Sequence, residues 1–192
     1  MKNYTKNWNI HFINSVTLVK DFSLSLEIGC FEGLTSNYIV EKLMNPEDIL
    51  VCVDPLTDNY LNTDLSYNDI EFNKTEYSFF EGQYDRFMNN TQEYINSGKV
   101  ILYRDLSFNV YDKLRNDFGK NFSFIYIDGD HRPESVYNDA INCFDLCKKD
   151  GYILFDDFLW KDTKLGIDDF INEYINEIKI IQKDEQLLIK KV

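Results

Sequence analysis

The stretch LSLEIGCFEG, residues 24–33, decides the fold of this chain. Its first half is an apolar run typical of a buried strand, and its second half places Gly29 and Gly33 around a turn that leads into an amphipathic helix. Glycine is needed where a backbone bends tightly or approaches a ligand without a Cβ atom. A strand, a glycine turn and a helix N-terminus in this order favour a ligand site at the carboxyl end of the strand.

Short apolar runs alternate with amphipathic stretches along the rest of the chain. We predict strands at 24–28, 49–53, 100–103, 122–127 and 152–155, and helices at 35–44, 83–96, 110–118, 134–148 and 165–178. Strands followed by helices imply right-handed crossovers and a mostly parallel sheet. Two last strands, 179–182 and 186–190, are too close for a crossover and should form a hairpin. The predicted fold is α/β: a Rossmann-like, seven-stranded, mostly parallel sheet with helices on both faces and a C-terminal antiparallel hairpin.

Length and charge limit the class of protein. The 192 residues suit one domain over 1–192, with an N-terminal extension at 1–20 and an insertion at 55–82 on the acceptor side. A formal charge of −13 repels polyanions, so we expect no nucleic-acid partner and no membrane partner. The sequence shows neither a long apolar run nor a signal-peptide pattern, and its four cysteines lack metal-binding spacing. We therefore expect a cytoplasmic protein with buried, reduced thiols.

A second acid follows the glycine turn, at the end of the next predicted strand. Asp54 ends the second predicted strand, where a carboxylate can accept hydrogen bonds from a ribose diol. The nicotinamide-binding pattern Gly-x-Gly-x-x-Gly is absent, because Phe31 and Leu34 stand where it requires glycine. With its acid-x-Gly-x-x-x-Gly turn and this second acid, the chain from about residue 20 to 192 resembles the class I S-adenosylmethionine (SAM)-dependent methyltransferases, and the final hairpin fits that family too.

The resemblance implies SAM as cofactor and assigns residues to its site. Glu27, Gly29, Gly33 and Asp54 match the positions that bind SAM in the family. The loop after the third strand lies near the adenine in that family, so the resemblance also implies that Asp105 or Ser107 binds the exocyclic amine; a solvated loop is the alternative.

Carboxylates gather after the fourth and fifth predicted strands. The fourth ends in Ile-Asp128-Gly-Asp130-His131 and the fifth in Phe-Asp156-Asp157-Phe-Leu-Trp. Those strands are neighbours in this fold, so the acids should lie close together, and two carboxylates about 4 Å apart repel by roughly 4 kcal/mol at an effective dielectric constant of about 20. Either one acid stays protonated or a hard divalent cation such as Mg²⁺ occupies the site.

This arrangement resembles the methyltransferase-24 type and the divalent-metal-dependent O-methyltransferases that act on catechols, caffeoyl-CoA and the sugars of natural products. The resemblance implies Mg²⁺ or Mn²⁺ held by Asp128, Asp156 and Asp157. His131 departs from the lysine of the caffeoyl-CoA group and is closer to the sugar-modifying group. We expect a small molecule or a sugar or glycan as the methyl acceptor.

His131 is the candidate general base, because a neutral imidazole can deprotonate a hydroxyl that a metal has made more acidic. It could instead orient Asp128 or cap the next helix. Asp128 and Asp130 complete the candidate catalytic set, and Asp130 or a metal-bound hydroxide is the alternative base.

Two other functions stay open from the sequence. A Rossmann-like nucleotide-binding oxidoreductase would need the third glycine that is missing, and a non-catalytic SAM-binding module would not need acids and a histidine at the acceptor edge. The aromatic, polar segment 58–80 should cover the acceptor, or else serve as a packing or dimerisation segment of a homodimer.

Overall fold

The computed structural model describes residues 10–57 and 81–192, with side chains from residue 12 onward. The strands are β1 Leu24–Ile28, β2 Ile49–Val53, β3 Val100–Tyr103, β4 Phe122–Ile127, β5 Cys147–Phe155, β6 Ile178–Lys183 and β7 Leu187–Lys191. The helices are α1 Ile10–Val16, α2 Leu34–Tyr38, α3 Gln83–Asn96, α4 Ser107–Phe118, α5 Pro133–Leu146 and α6 Lys161–Tyr174. A single π-helical turn, Ile39–Leu43, continues α2.

The strands form one sheet in the order β3-β2-β1-β4-β5-β7-β6. The first five in this order pair in parallel, and β7 is antiparallel to both β5 and β6. The predicted fold class and the closing hairpin are confirmed. At the carboxyl edge Ile127 pairs with Phe155, so the acids that follow β4 and β5 leave the sheet side by side.

Alternation along the central strands buries both faces of the sheet. One face, formed by side chains such as Val51 and Ile125, packs against α4, α5 and α6. The opposite face, with Leu50 and Phe124, packs against α1, α2 and α3. Strands buried on both faces read as continuous apolar runs, which is why β1, β2 and β4 match their predicted bounds. The edge strand β3 also matches its predicted bounds, although only Val100 is fully buried there.

Helix α4 begins at Ser107 and not at the predicted residue 110. The predicted ends of two further helices are also wrong. Helix α5 ends at Leu146, since Cys147 already pairs with Phe122 as the start of β5. Helix α6 covers Lys161–Tyr174 and not 165–178, because the buried Ile178 opens β6. In both cases the sheet takes apolar residues that continue the helical period, so pairing across the sheet overrides local periodicity.

Part of the predicted N-terminal extension belongs to the core. The Phe12 side chain of α1 is 1% exposed, and its ring centroid lies 4.8 Å from that of Tyr126 on β4. Residues 58–80, most of the predicted insertion, lie outside the described residues, and so does their expected role over the acceptor.

Across 10–57 and 81–192, no helix combines the length and the apolar character that crossing a bilayer requires. All four cysteines are free and buried, as the sequence predicts: Cys30, Cys52, Cys143 and Cys147.

Candidate functional site

The glycine loop, residues 29–33, connects β1 to α2 and packs against the residue that follows β4 and against α3. Gly29 has φ 81°, and a Cβ there would lie 1.9 Å from the carbonyl oxygen of Asp128. Gly33 has φ 77°, and a Cβ there would lie 2.6 Å from the Thr91 side chain of α3. Both positions therefore need glycine for conformation and for space. The loop abuts the end of β4, where the predicted catalytic residues follow.

Asp54 shapes this loop from the end of β2. One carboxylate oxygen accepts hydrogen bonds of 2.9 Å from the amides of Cys30 and Phe31, and the other accepts one of 2.7 Å from Leu56. Asp54 is buried, and Phe31 holds a left-handed φ of 46°. The carboxylate thus stabilises a strained turn. Its expected hydrogen bonds to a ribose stay a prediction.

Glu27 lies beneath the glycine loop and is 1% exposed. Its carboxyl group accepts the Ser36 hydroxyl hydrogen and lies 3.7 Å from the Cys52 sulfur. Burial raises the pKa of Glu27 to about 8, although the hydrogen bond from Ser36 opposes the rise. At neutral pH the group is mostly protonated, so it acts as a neutral partner inside the loop. A contact with the cofactor stays a prediction.

Asp105 and Ser107, the two residues expected near the adenine, have different surroundings. Asp105 is exposed and accepts hydrogen bonds from the Leu106 amide and the Asn109 side chain. Ser107 is partly buried, and its hydroxyl lies 2.7 Å from a carboxylate oxygen of Asp139 on α5. Of these two residues, only Ser107 makes a hydrogen bond to another helix, α5.

A carboxylate–histidine cluster, which is Asp128, His131 and Asp157, occupies the edge beyond β4 and β5. One ligand atom from each residue lies within 4.8 Å of the other two. His131 Nε2 lies 2.9 Å from Asp157 Oδ2, and the His131 ring lies 4.9 Å from the ring of Trp160. All three side chains are partly exposed. Two carboxylates and an imidazole in this arrangement could hold a divalent cation or orient a base.

Asp156 lies beside this cluster and makes hydrogen bonds of its own. One of its oxygens accepts hydrogen bonds of 2.9 Å from Gln186 and from the Asp157 amide, and the other accepts the Tyr126 hydroxyl hydrogen. Adjacent residues at a strand end point to opposite sides, and Asp157 also has a left-handed φ of 49°. The sequence assigned three acids to one metal, whereas the structure brings two of them together with His131.

Asp130 is paired with its neighbour. Its carboxylate accepts hydrogen bonds from the backbone and the guanidinium of Arg132, including one of 2.7 Å from Nε. Burial opposes the change, but the Arg132 contacts lower the pKa of Asp130 below its ordinary value. A more acidic carboxyl group is a weaker base.

The surroundings of Asp128 disfavour its ionised form. Loss of solvent, together with the neighbouring carboxylates of Asp156 and Asp157, raises the pKa of Asp128 well above its ordinary value. Tyr126 lies 3.3 Å from Asp128 and also contacts Asp156. These surroundings favour the protonated form of Asp128, and a cation at the cluster would compete with that proton.

A small cleft opens beside the cluster, between the loop after β4 and the first turns of α5 and α6. Its polar wall is formed by Asp128, Asp130, His131, Asp156 and Thr163. The Thr163 hydroxyl is buried and has no hydrogen-bond partner within the described ranges.

Sequence reasoning missed three residues of this edge. Asp139 stands on the buried stripe of α5, where an acid among apolar residues was a usable signal. Trp160 was noticed as part of a motif, but its packing on His131 depends on the path of the loop. The role of Tyr126 had no signal, because the alternation of β4 marks it only as a core aromatic.

Comparisons with known proteins identify the family and the fold. A family model described as a methyltransferase domain matches residues 26–158. An uncharacterised protein of Acanthamoeba polyphaga mimivirus, R132, is 28% identical over 158 residues, and the match covers 80% of this chain but 61% of the viral protein.

Two solved structures share the fold at low identity. The O-methyltransferase TomG of Streptomyces achromogenes, involved in tomaymycin synthesis and solved with SAM, gives a TM-score of 0.61 at 13% identity over 88% of this chain and 73% of its own. An O-methyltransferase from Bacillus cereus, solved with S-adenosylhomocysteine (SAH), gives 0.60 at 14% identity over 88% and 74%. At such identities the likeness concerns the Rossmann-like fold.

Proposed function

Because the chain belongs to the methyltransferase-24 family of methyltransferase domains, we propose that it transfers the methyl group of SAM to a hydroxyl group of a sugar, a glycan or another small molecule, assisted by a divalent cation. The proposed reaction forms a methyl ether, and SAM leaves as SAH. The acceptor hydroxyl loses one proton.

The observation that carries this proposal is the contact between the glycine loop and the carboxylate–histidine cluster. A Cβ at Gly29 would collide with the backbone of Asp128, so the two sites share a boundary. Methyl transfer needs the donor carbon and the acceptor oxygen about 3–3.5 Å apart and in line. A cofactor on the loop and an acceptor at the cluster would meet this requirement.

The donor set of the cluster suits Mg²⁺ or Mn²⁺. Asp128 and Asp157 would hold the ion through carboxylate oxygens, and these hard donors suit either metal. When bound, the ion would offset the carboxylate charge and make the acceptor hydroxyl more acidic. Asp156 was the third predicted ligand; we now assign it to the hydrogen bonds that it makes with Tyr126 and Gln186.

His131 is the residue that we assign to proton removal. Asp157 and the Trp160 ring hold the imidazole from two sides, an arrangement that fixes ring orientation in catalytic histidines. Asp130 is the weaker candidate, because Arg132 lowers its pKa. The positioned base contributes roughly 10²–10⁴-fold to such reactions.

The surface around the cluster supports the proposed acceptor class. Trp160 is 57% exposed and Leu159 is 55% exposed beside His131, which offers an aromatic face on which a sugar ring or another ring can stack. The net charge of −13 disfavours anionic acceptors, nucleic acids and acidic membrane surfaces.

We also propose a cytoplasmic location for the protein. The four cysteines are buried free thiols, which suit a reducing compartment.

The test is methyl transfer from methyl-labelled SAM to a panel of sugars and phenols, with EDTA or with added Mg²⁺. We expect turnover that EDTA abolishes and Mg²⁺ restores. Asp112→Asn, an exposed substitution on α4, is the control and should retain full turnover. SAM binding without turnover on any hydroxyl acceptor would overturn the proposed reaction, and full turnover in EDTA would remove the cation from it.

A further inference from the structure

We propose that Asp139 sets the nucleobase specificity of the cofactor site. By accepting the hydroxyl hydrogen of Ser107, it leaves the Ser107 oxygen able only to accept a further hydrogen bond. That oxygen then selects the exocyclic amino group of adenine over the carbonyl oxygen of a 6-oxopurine. The inference rests on the proposed function, because it takes SAM as the cofactor with its adenine beside Ser107.

The contacts of Asp139 are short and come from one helix. Its Oδ1 lies 2.7 Å from the Ser107 hydroxyl and 2.7 Å from the Tyr111 hydroxyl. Ser107 and Tyr111 are one turn apart on α4, so they present their hydroxyls to α5 from the same face. Asp139 itself is 4% exposed. It is therefore a carboxylate built into the contact between α4 and α5.

The direction of these hydrogen bonds follows from the chemistry of the groups. An ionised carboxylate has no hydrogen, so both hydroxyls must donate to it. A serine hydroxyl has one hydrogen and two lone pairs, so Ser107 keeps only acceptor capacity toward a ligand. Tyr111 is buried, and its hydroxyl faces Cys143 at 3.9 Å; Ser107 is the partly exposed partner of the two.

A chain of close contacts places this pair at the edge where the cofactor is proposed to bind. A Cβ on Gly129, after β4, would lie 3.5 Å from Asp139 Oδ2. A Cβ on Gly29 in the glycine loop would lie 2.9 Å from the Gly129 Cα atom. The glycine loop, the loop after β4 and the start of α4 are thus packed side by side. Through Asp139 and Gly129, Ser107 is therefore connected to the glycine loop by a continuous line of contacts.

The charge state of Asp139 makes the effect dependent on pH. The groups that face it are Ser107 and Tyr111 on α4, Cys143 on α5 and Asp130 after β4. Burial raises the pKa of Asp139 to about 6, against the hydrogen bonds from Ser107 and Tyr111. Above this pH the carboxylate fixes the polarity of Ser107. Below it, the protonated carboxyl group can donate its own hydrogen, and Ser107 can then turn its hydrogen toward a ligand.

The experiment compares two ligands on the same protein by calorimetry: SAH, and the SAH analogue that carries hypoxanthine in place of adenine. A site built for one hydrogen-bond polarity rejects the opposite one strongly, so we expect the wild type at pH 8 to prefer SAH by roughly 100-fold or more. The preference should fall to roughly 10-fold or less at pH 5, and at every pH in Asp139→Asn and in Ser107→Ala.

Asp145→Asn is the matched control, because it lies on the same helix and pairs with Arg115 and Lys120 on the surface. It should keep the wild-type preference at both pH values. A ratio of two affinities on one folded protein does not change through loss of stability alone. An unchanged ratio in Asp139→Asn and Ser107→Ala, with tight SAH binding, would overturn this inference. Absence of SAH binding to the wild type would instead overturn the proposed function.

Discussion

Replacing Glu27 with glutamine should stabilise the fold at neutral and alkaline pH. Glutamine has nearly the same size and keeps an oxygen that can accept the Ser36 hydroxyl hydrogen. It removes the one feature of Glu27 that the buried site opposes, which is ionisation. Burial raises the pKa of Glu27 from 4.5 to about 8, so the folded protein retains a proton that the unfolded chain releases.

The sign and size of the effect follow from this pKa. Between pH 4.5 and about 8 the folded state binds more protons than the unfolded state, so wild-type stability falls as the pH rises. The slope is about 1.4 kcal/mol per pH unit, which makes about 5 kcal/mol over the whole window. Glu27→Gln lacks this slope. Its advantage over the wild type should therefore grow by about 3 kcal/mol from pH 5.5 to pH 7.5.

The assay is urea unfolding of both proteins at pH 5.5, 6.5 and 7.5, with the difference in unfolding free energy plotted against pH. In thermal unfolding the same change corresponds to roughly 5–10 °C in the difference between the two Tm values. Glu134→Gln, an exposed substitution on α5, is the control and should give a difference that does not vary with pH. If the curves for Glu27→Gln and the wild type run parallel, Glu27 is not the buried neutral acid described above.

Three further predictions concern the loop and the cluster. Gly29→Ala should destabilise the protein by at least about 2 kcal/mol more than Gly98→Ala. Both glycines have a left-handed φ, but only a Cβ at Gly29 would meet backbone, at 1.9 Å. Urea unfolding measures the two losses of stability, and equal losses would contradict this prediction. Asp54→Ala should weaken SAH binding at least several-fold in calorimetry, because two amides of the glycine loop lose their acceptor; unchanged affinity would remove the residue from the site. His131→Ala should lower kcat by roughly 100-fold with SAM affinity nearly unchanged, and Asp157→Asn should lower kcat and also weaken Mg²⁺ binding. Turnover of His131→Ala close to that of the wild type would show that the histidine only orients other groups.

Much of the fold could be predicted because its signals are local. Strands buried on both faces are continuous apolar runs, and the short connection between β6 and β7, residues 184–186, permits only a hairpin. The glycine loop was equally visible, since Gly29 and Gly33 are required by backbone conformation and by space. The meeting of the acids after β4 and β5 followed from strand order, because parallel strands end at one edge.

Helix ends and the N-terminal segment were not predictable in the same way. Cys147 and Ile178 continue the helical period, yet pairing with β4 and with β7 draws them into the sheet. Phe12 completes the core through contacts with β4, more than a hundred residues away in the chain. Such contacts decide between two local structures that the sequence permits almost equally.

The sequence by itself determined the kind of chemistry, because residue types and their order along the strands place acids, a histidine and a glycine loop at one edge. Only the tertiary structure decided the direction of each side chain. Asp156 accepts hydrogen bonds from Tyr126 and Gln186, and Ser107 on α4 donates to Asp139 on α5. The physical reason is that a carboxylate turns toward the donors that satisfy it. Those donors lie on other parts of the fold, and the local sequence pattern does not show which parts become neighbours.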